Sequence, residues 1–321
     1  MAGNQSPLYT LAAKIKRRHR QRARCCSDQI HSVSRRFQAV IPLYYINLAE
    51  QPSRKEWFEN QCAELGISTI RIDAVDGRKL PQVKLEEFKT KQRLRLRFGP
   101  AEIGCALSHR KVWEAFCKSG EQWCFVAEDD LHLAKDSAAF FQSTFWIPKD
   151  ASLVKAESTF KKCHLGPAEP IFDGERTIRR LLSLHGGAGG YFINQDAAQK
   201  ALEATTHRFE PADHVLFNPE FGFFEDISAY QIAPAFGAQD LFFENSIDGF
   251  IKSGLELERQ TLRKRPAVSK ILRELKRPFR QGLEAASNAI YTAVRKSSFV
   301  SVPYFSAEPG SKPEILRKRF K

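Results

Sequence analysis

No stretch of this 321-residue sequence approaches the ~18–20 consecutive apolar residues of a membrane-spanning helix. The apolar stretch near its start, Leu8 to Ala13, is too brief for the ~7–15-residue core of a signal peptide. These absences lead to the expectation of a soluble or peripheral protein in the cytoplasm. Paired Cys-x-x-Cys spacing is missing as well. The seven cysteines (Cys25, Cys26, Cys62, Cys105, Cys117, Cys124 and Cys163) are odd in number and scattered, which predicts reduced thiols rather than a disulfide frame. No internal repeat is visible.

The two ends of the chain have few acids. Residues 1–40 carry nine Lys/Arg against Asp28 alone, and residues 259–321 carry sixteen against four acids. The formal charge of +13 therefore hides a net −7 over residues 41–258. Basic ends around an acidic centre predict an anionic membrane surface as a partner, each Lys/Arg near the headgroups contributing about 1 kcal/mol. They do not point to a specific nucleic acid. With 42% hydrophobic residues the chain can build one sizeable α/β domain with appendages. The expected division is a basic N-terminal arm at 1–38, a catalytic domain at 39–258 and a basic amphipathic tail at 259–321.

Within the central segment, Ala39 to Ile46 is an apolar, β-branched and aromatic run that reads as a buried strand ending at Asn47. A helix from about Ser53 to Leu65 follows, with Ser53 and Glu56 spaced as a capping box and Gly66 as the stop. Thr69 to Val75 predicts a second strand broken at Asp76-Gly77, giving the strand-helix-strand order of a parallel sheet. Residues 78–100 read as irregular. Ile103, Ala106, Leu107, Val112, Trp113 and Phe116 give the span 101–118 a helical period. Trp123 to Ala127 is a strand-length apolar run with Glu128-Asp129-Asp130 at its carboxyl end, where ligands bind in open α/β sheets.

Adjacent carboxylates repel and raise one another's pKa, and a divalent cation relieves this. Mg²⁺ or Mn²⁺ takes oxygen ligands from one or two carboxylates plus substrate phosphates. If strand alternation persists, Glu128 and Asp130 share one side and form the candidate metal-diphosphate pair, leaving Asp129 as an orienting or ribose-binding residue. Taken alone, such a triplet is more often a solvated acidic turn.

Its neighbours change that balance. The sequence resembles glycosyltransferase family 25, the lipooligosaccharide galactosyltransferase family. The resemblance rests on Tyr45-Ile46-Asn47-Leu48 followed by Arg54; Ile72 to Gly77; Glu102-Ile103-Gly104-Cys105-Ala106-Leu107-Ser108-His109; Val126 to Asp130; Ala188 to Ile193; and Pro211-Ala212-Asp213, in that order. It implies a GT-A fold: a Rossmann-like, mostly parallel sheet with helices on both faces. It also implies a UDP-sugar donor, a Mn²⁺ or Mg²⁺ cofactor and inverting transfer of a hexose, galactose foremost, to a lipid-linked saccharide. By the same resemblance, Asn47, Arg54, Asp76 and Gly77 line the nucleotide pocket, and Ser108 and His109 face the donor.

Inverting transfer needs a carboxylate base. Asp213 is the candidate, with a plain helix-capping role as the alternative, and Asp240 is the runner-up. Gly186 to Gly190 precedes a strand rather than joining a strand to a helix, which argues against a P-loop and favours a flexible, close-approach loop near the acceptor. Cys105 and His109, four residues apart, and the adjacent Cys163-His164 lack partners in sequence for a tetrahedral zinc site and read as core or pocket residues. Two other classes remain open: a non-catalytic nucleotide-sugar or polyanion-binding module, and a nucleotidyl or phosphoryl transferase.

Overall fold

The computed structural model describes residues 41–92, 99–172, 174–221, 227–243, 286–306 and 314–315. The expected N-terminal arm lies outside these residues. The chain opens with β1 (Leu43–Asn47), α1 (Pro52–Glu64) and β2 (Thr69–Asp73), then α2 (Gln82–Thr90), α3 (Pro100–Ser119) and β3 (Trp123–Glu128). β1 lies between β2 and β3 and is parallel to both, as the strand-helix-strand order predicts.

Further along come β4 (Leu131–Leu133), β5 (Leu153–Lys155), β6 (Glu157–Ser158), β7 (Lys162–Ile171), β8 (Arg176–Leu181) and β9 (Gly190–Asn194). After them lie α4 (Gln195–His207), α5 (Ala212–Phe217), β10 (Ala229–Ala233), β11 (Gly237–Gln239) and β12 (Ser298–Ser301). Nine strands form one sheet in the order β12-β7-β8-β10-β5-β9-β3-β1-β2. The α/β class is as expected, but the sheet is mixed rather than mostly parallel. β9 is antiparallel to both β3 and β5, and β8 is antiparallel to β7 and β10. The 10-residue β7 and the 6-residue β8 run back to back without a crossover helix, a connection that only antiparallel strands allow.

Side-chain alternation divides the core between the two faces of the sheet. Tyr44, Ile46, Cys124, Val126, Tyr191 and Ile193 pack with α3, α4 and α5 on one face. Leu43, Tyr45, Phe125, Ala127 and Phe192 pack on the other with Phe58 and Cys62 of α1 and with Phe140 and Phe141. The buried runs of β1 and β3 are therefore apolar on both sides, which explains their continuous hydrophobic sequence.

Several local expectations are corrected. The predicted Ser53–Glu56 capping box does not form: α1 starts one residue earlier with Pro52 in its first turn, and Gln51 stands at the cap without a side-chain bond. The span read as irregular, 78–100, contains α2, whose charged face carries the pairs Lys84–Glu87, Lys89–Glu86 and Lys91–Glu87. Only Leu85 of α2 is buried, so its apolar period was too weak to read.

The predicted boundary at 258 does not mark the end of the packed body. β12 pairs antiparallel with β7 and forms the edge of the sheet, and Val302, Tyr304 and Phe305 are buried behind it. The Arg176 guanidinium, ion-paired with Asp136, donates to the Phe305 carbonyl and ties this segment down. Of the expected helical tail, residues 286–295 are helical; 259–285 lie outside the described residues.

The loop after β2 meets the start of α3 through two glycines. A Cβ on Gly77 would lie 1.6 Å from the Pro100 carbonyl oxygen, and one on Gly104 would lie 2.4 Å from the Val75 carbonyl oxygen. Both neighbours are backbone and cannot turn aside. Gly77→Ala and Gly104→Ala should therefore each destabilise by at least about 1–3 kcal/mol. Gly66→Ala, strained by its positive φ but open around its Cβ, should cost less. Urea titration of the three variants gives the order. Truncation at residue 258 should lower stability further by uncovering the β7 edge and the Val302–Phe305 contacts, as a thermal melt would register.

Candidate active site

The acidic triplet stands at the carboxyl end of β3, and the regular strand stops at Glu128. Asp129 and Asp130 form the turn into β4. Strict alternation across the triplet is therefore lost, and the expected separation of Asp129 from Asp130 is corrected. A single nitrogen of Arg54, in the first turn of α1, lies 2.8 Å from an Asp129 oxygen and 2.9 Å from an Asp130 oxygen. Asn47, the last residue of β1, donates from Nδ2 to Asp129 at 2.7 Å, and its Oδ1 accepts from Arg71. The structure thus brings Asn47, Arg54 and the triplet together, because the ends of β1 and β3 are neighbours and α1 begins directly above them.

A second layer comes from the three-stranded sheet β4-β11-β6. β4 follows the triplet directly, and β11 lays Gln239 beside it. Gln239 Nε2 donates to Glu128 Oε2 at 2.7 Å and approaches Asp130 Oδ1 at 3.4 Å. Glu128 and Asp130 therefore do face a common point, through a residue that the sequence did not mark. β6 adds the fully buried Glu157, paired with Lys155 at 2.6 Å and accepting from the Gly189 amide at 2.9 Å. The Glu128 amide bonds to the Gly189 carbonyl, which ties the glycine loop to the triplet.

Burial sets the electrostatics. Like charges about 4 Å apart cost about 4 kcal/mol at an effective dielectric of about 20. Desolvation raises the Asp130 carboxyl to about 7, with Arg54 opposing and Glu128 and Asp129 reinforcing the rise. Burial raises Asp129 too, against the pull of Arg54 and Asn47, and raises Glu157 against Lys155.

The remaining predicted residues divide. His109 is fully buried, its Nδ1 3.0 Å from the Tyr191 hydroxyl and its Nε2 3.4 Å from Glu128 Oε1. It faces the acidic triplet rather than an open donor cavity. Ser108 is corrected outright: its hydroxyl donates to the Gly104 carbonyl at 2.7 Å and accepts from the Val75 amide at 2.8 Å, buried between helix and loop. It fixes the loop and is not presented to a ligand. Gly77 is likewise a close-packing position, buried against α3. Asp76 turns to Arg78, whose hydrogen bond is the main cause holding its carboxyl below the usual range.

Asp240 is backbone-bonded to Asp130, but its carboxylate is buried and binds His132 at 2.9 Å, which makes it a positioning residue for His132. Asp213 is in the first turn of α5, two residues past Pro211, which takes the capping position expected for it. Its Oδ2 accepts from the Gly187 amide at 2.9 Å, placing it on the glycine loop whose other end touches Glu128. Cys105, read as a core or pocket residue, points its sulfur at Glu128 Oε1 from 3.7 Å. Gln239 and Glu157 escaped the sequence reading, and Cys105 was read only as a core or pocket residue, because Gln239 and Cys105 reach Glu128, and Glu157 reaches it through Gly189, only by tertiary contact.

Oxygen donors from Glu128 and Asp130, in a desolvated setting with one guanidinium among three carboxylates, suit a hard divalent cation. The chain matches the model of glycosyltransferase family 25 (LPS biosynthesis protein) over residues 40–216. Among curated relatives, it is 26% identical to the lacto-N-neotetraose biosynthesis glycosyltransferase LgtE of Neisseria gonorrhoeae over 249 residues, covering 73% of this chain and 87% of that one. It is also 26% identical to the lipooligosaccharide biosynthesis protein lic2B of Haemophilus influenzae, covering 68% of this chain and 82% of that one. Among solved structures, the apo-form glycosyltransferase GlyE of Streptococcus pneumoniae aligns at 12% identity and a TM-score of 0.31, over 59% of this chain and 44% of that one. A likeness of that size carries no argument about fold.

The raised Asp130 fixes a sign. A carboxyl with a folded value near 7 and an unfolded value near the ordinary ~4 stabilises the fold below the lower value. That contribution is lost as pH rises through the higher one. In EDTA, raising the pH from 5 to 8 should destabilise the native protein more than Asp130→Asn, as urea midpoints would show. Equal slopes for the two proteins would contradict the buried, charge-crowded Asp130.

Proposed function

The chain belongs to glycosyltransferase family 25, and on that premise we propose that it transfers a hexose, galactose foremost, from a UDP-sugar to a hydroxyl of a lipooligosaccharide-type, lipid-linked saccharide. The observation that carries this reading is the desolvated carboxylate cluster at the end of β3, joined by Arg54 and Gln239. The relatives, named for lacto-N-neotetraose and lipooligosaccharide biosynthesis, support the acceptor class.

In this reading Glu128 and Asp130 hold Mn²⁺ or Mg²⁺. When bound, the cation neutralises charge on the departing diphosphate. Arg54 supplies a fixed positive charge beside the same oxygens, and Asn47 locks Asp129 so that Arg54 stays in place. The acceptor hydroxyl attacks the anomeric carbon as the bond to UDP breaks, and its proton passes to a carboxylate. Asp213 is that base, since Asp240 is committed to His132.

The basic ends hold the enzyme at the cytoplasmic face of the membrane, near a lipid-linked acceptor. The helical stretch 286–295 supports this, exposing Ile290 and Val294 next to Arg295 and Lys296.

Purified protein given UDP-galactose or UDP-glucose, Mn²⁺ and a lipooligosaccharide-type acceptor should release UDP. Glu128→Ala and Asp130→Ala should lower kcat/KM by more than about a hundredfold, as expected when several kcal/mol of transition-state stabilisation are lost. Asp213→Asn should lower kcat by about 10²–10⁴-fold with a smaller effect on KM. Absence of UDP release with every donor and acceptor pair would sink the proposal.

A further inference from the structure

The Glu128 carboxylate faces two ways. Oε2 is held by Gln239 on the Asp130 side, whereas Oε1 is turned toward α3. There it meets Cys105 Sγ at 3.7 Å and His109 Nε2 at 3.4 Å, and the three donor atoms all lie within 4.8 Å of one another. Bond lengths of about 2.0–2.3 Å at tetrahedral angles place zinc donors about 3.3–3.6 Å apart. The observed sulfur–oxygen and nitrogen–oxygen separations are close to that spacing.

The surroundings constrain these donors further. Cys105 and His109 are one turn apart on α3 and share a face. That turn is rigid because Gly104 is pressed against the Val75–Gly77 backbone and Ser108 bonds across to Val75. His109 is oriented through its other nitrogen, with Nδ1 on the Tyr191 hydroxyl, and that hydroxyl is fixed in turn by Trp113 Nε1 at 2.9 Å. A buried partner on the distal imidazole nitrogen is what orients a ligating histidine. Cys105 and Glu128 are half-buried, so the group has a path to solvent.

We propose that Cys105, His109 and Glu128 form a binding site for one soft divalent transition-metal ion of the zinc class. The site shares the Glu128 carboxylate with the hard cation assigned to Glu128 and Asp130, using Oε1 rather than the Oε2 that faces Asp130, and does not rest on the transfer reaction. Thiolate and imidazole donors favour zinc over magnesium or manganese, which prefer oxygen. Three protein donors leave one tetrahedral position for water. On binding, the metal–sulfur bond forms as the Cys105 thiol releases its proton to solvent, while Nδ1 of His109 keeps its proton and donates it to Tyr191.

The test uses the full chain stripped of metal and titrated with Co²⁺, read by absorption and independent of any glycosyl transfer. One equivalent should produce a near-ultraviolet thiolate-to-cobalt charge-transfer band and visible bands of tetrahedral intensity. Zn²⁺ should bleach them and excess Mg²⁺ should not. Cys105→Ser, a near-isosteric change at a half-buried position, should abolish the charge-transfer band and weaken Zn²⁺ binding at least about tenfold. Cys117→Ser, three turns along the same helix, should leave both unchanged, and circular dichroism confirms that each variant is folded. No charge-transfer band in the native protein, or a band that survives Cys105→Ser, would overturn the site.

Discussion

The contact of one Arg54 nitrogen with both Asp129 and Asp130 is the constraint around which the rest of the site is arranged. Carboxylates this deeply buried are stable in ionised form only with a partner inside the same desolvated volume. Arg54 can be that partner only if α1 starts immediately after β1, and Pro52 in its first turn sets that start. Asn47 ties the strand end together, donating to Asp129 and to the Gln51 carbonyl at the helix cap and accepting from Arg71, so that neither the acid nor the helix start can drift. Burial raises the pKa of Asp130, and one guanidinium among three carboxylates leaves the charge only partly compensated, so Glu128 and Asp129 add to the rise. That remaining imbalance suits a cation.

Two further pieces complete the constellation from outside the β1-β3 pair. Helix α3 packs against the loop after β2 through backbone-to-backbone contact at Gly77 and Gly104, which presents Cys105 and His109 to Glu128. The small β4-β11-β6 sheet brings Gln239 and Glu157 to the same end. Each oxygen of Glu128 thus answers to a different layer, Oε1 to the helix and Oε2 to the sheet. The buried Lys155–Glu157 pair beneath them extends the polar region into the core, with Glu157 Oε2 lacking a hydrogen-bond partner among the described residues.

Much of the fold was legible because burial on both faces of a strand leaves a continuous apolar run. β1, β3 and β9 could be read that way, and the 20-residue α3 from its period. Helix α2 could not, since it buries one side chain and shows water a charged surface. The edge strand β12 was hidden behind the basic residues that precede it, and its place depends on pairing with β7, more than 120 residues earlier. Ser108 was misread for a related reason: its neighbours His109 and Cys105 do face the acidic triplet, but successive helix residues point about 100° apart, and Ser108 points into the loop.

The sequence by itself determined the α/β class, the acidic cluster at a strand end and the family, because short apolar runs and ordered local motifs are written in consecutive residues. Tertiary structure alone decided which charges meet. It placed Arg54 on two acids at once, turned Asp240 to His132, set Asp213 on the glycine loop and closed Cys105 and His109 onto Glu128. The physical reason is that strand order and helix packing, rather than neighbourhood in the chain, fix the distances over which carboxylates, cations and thiols act.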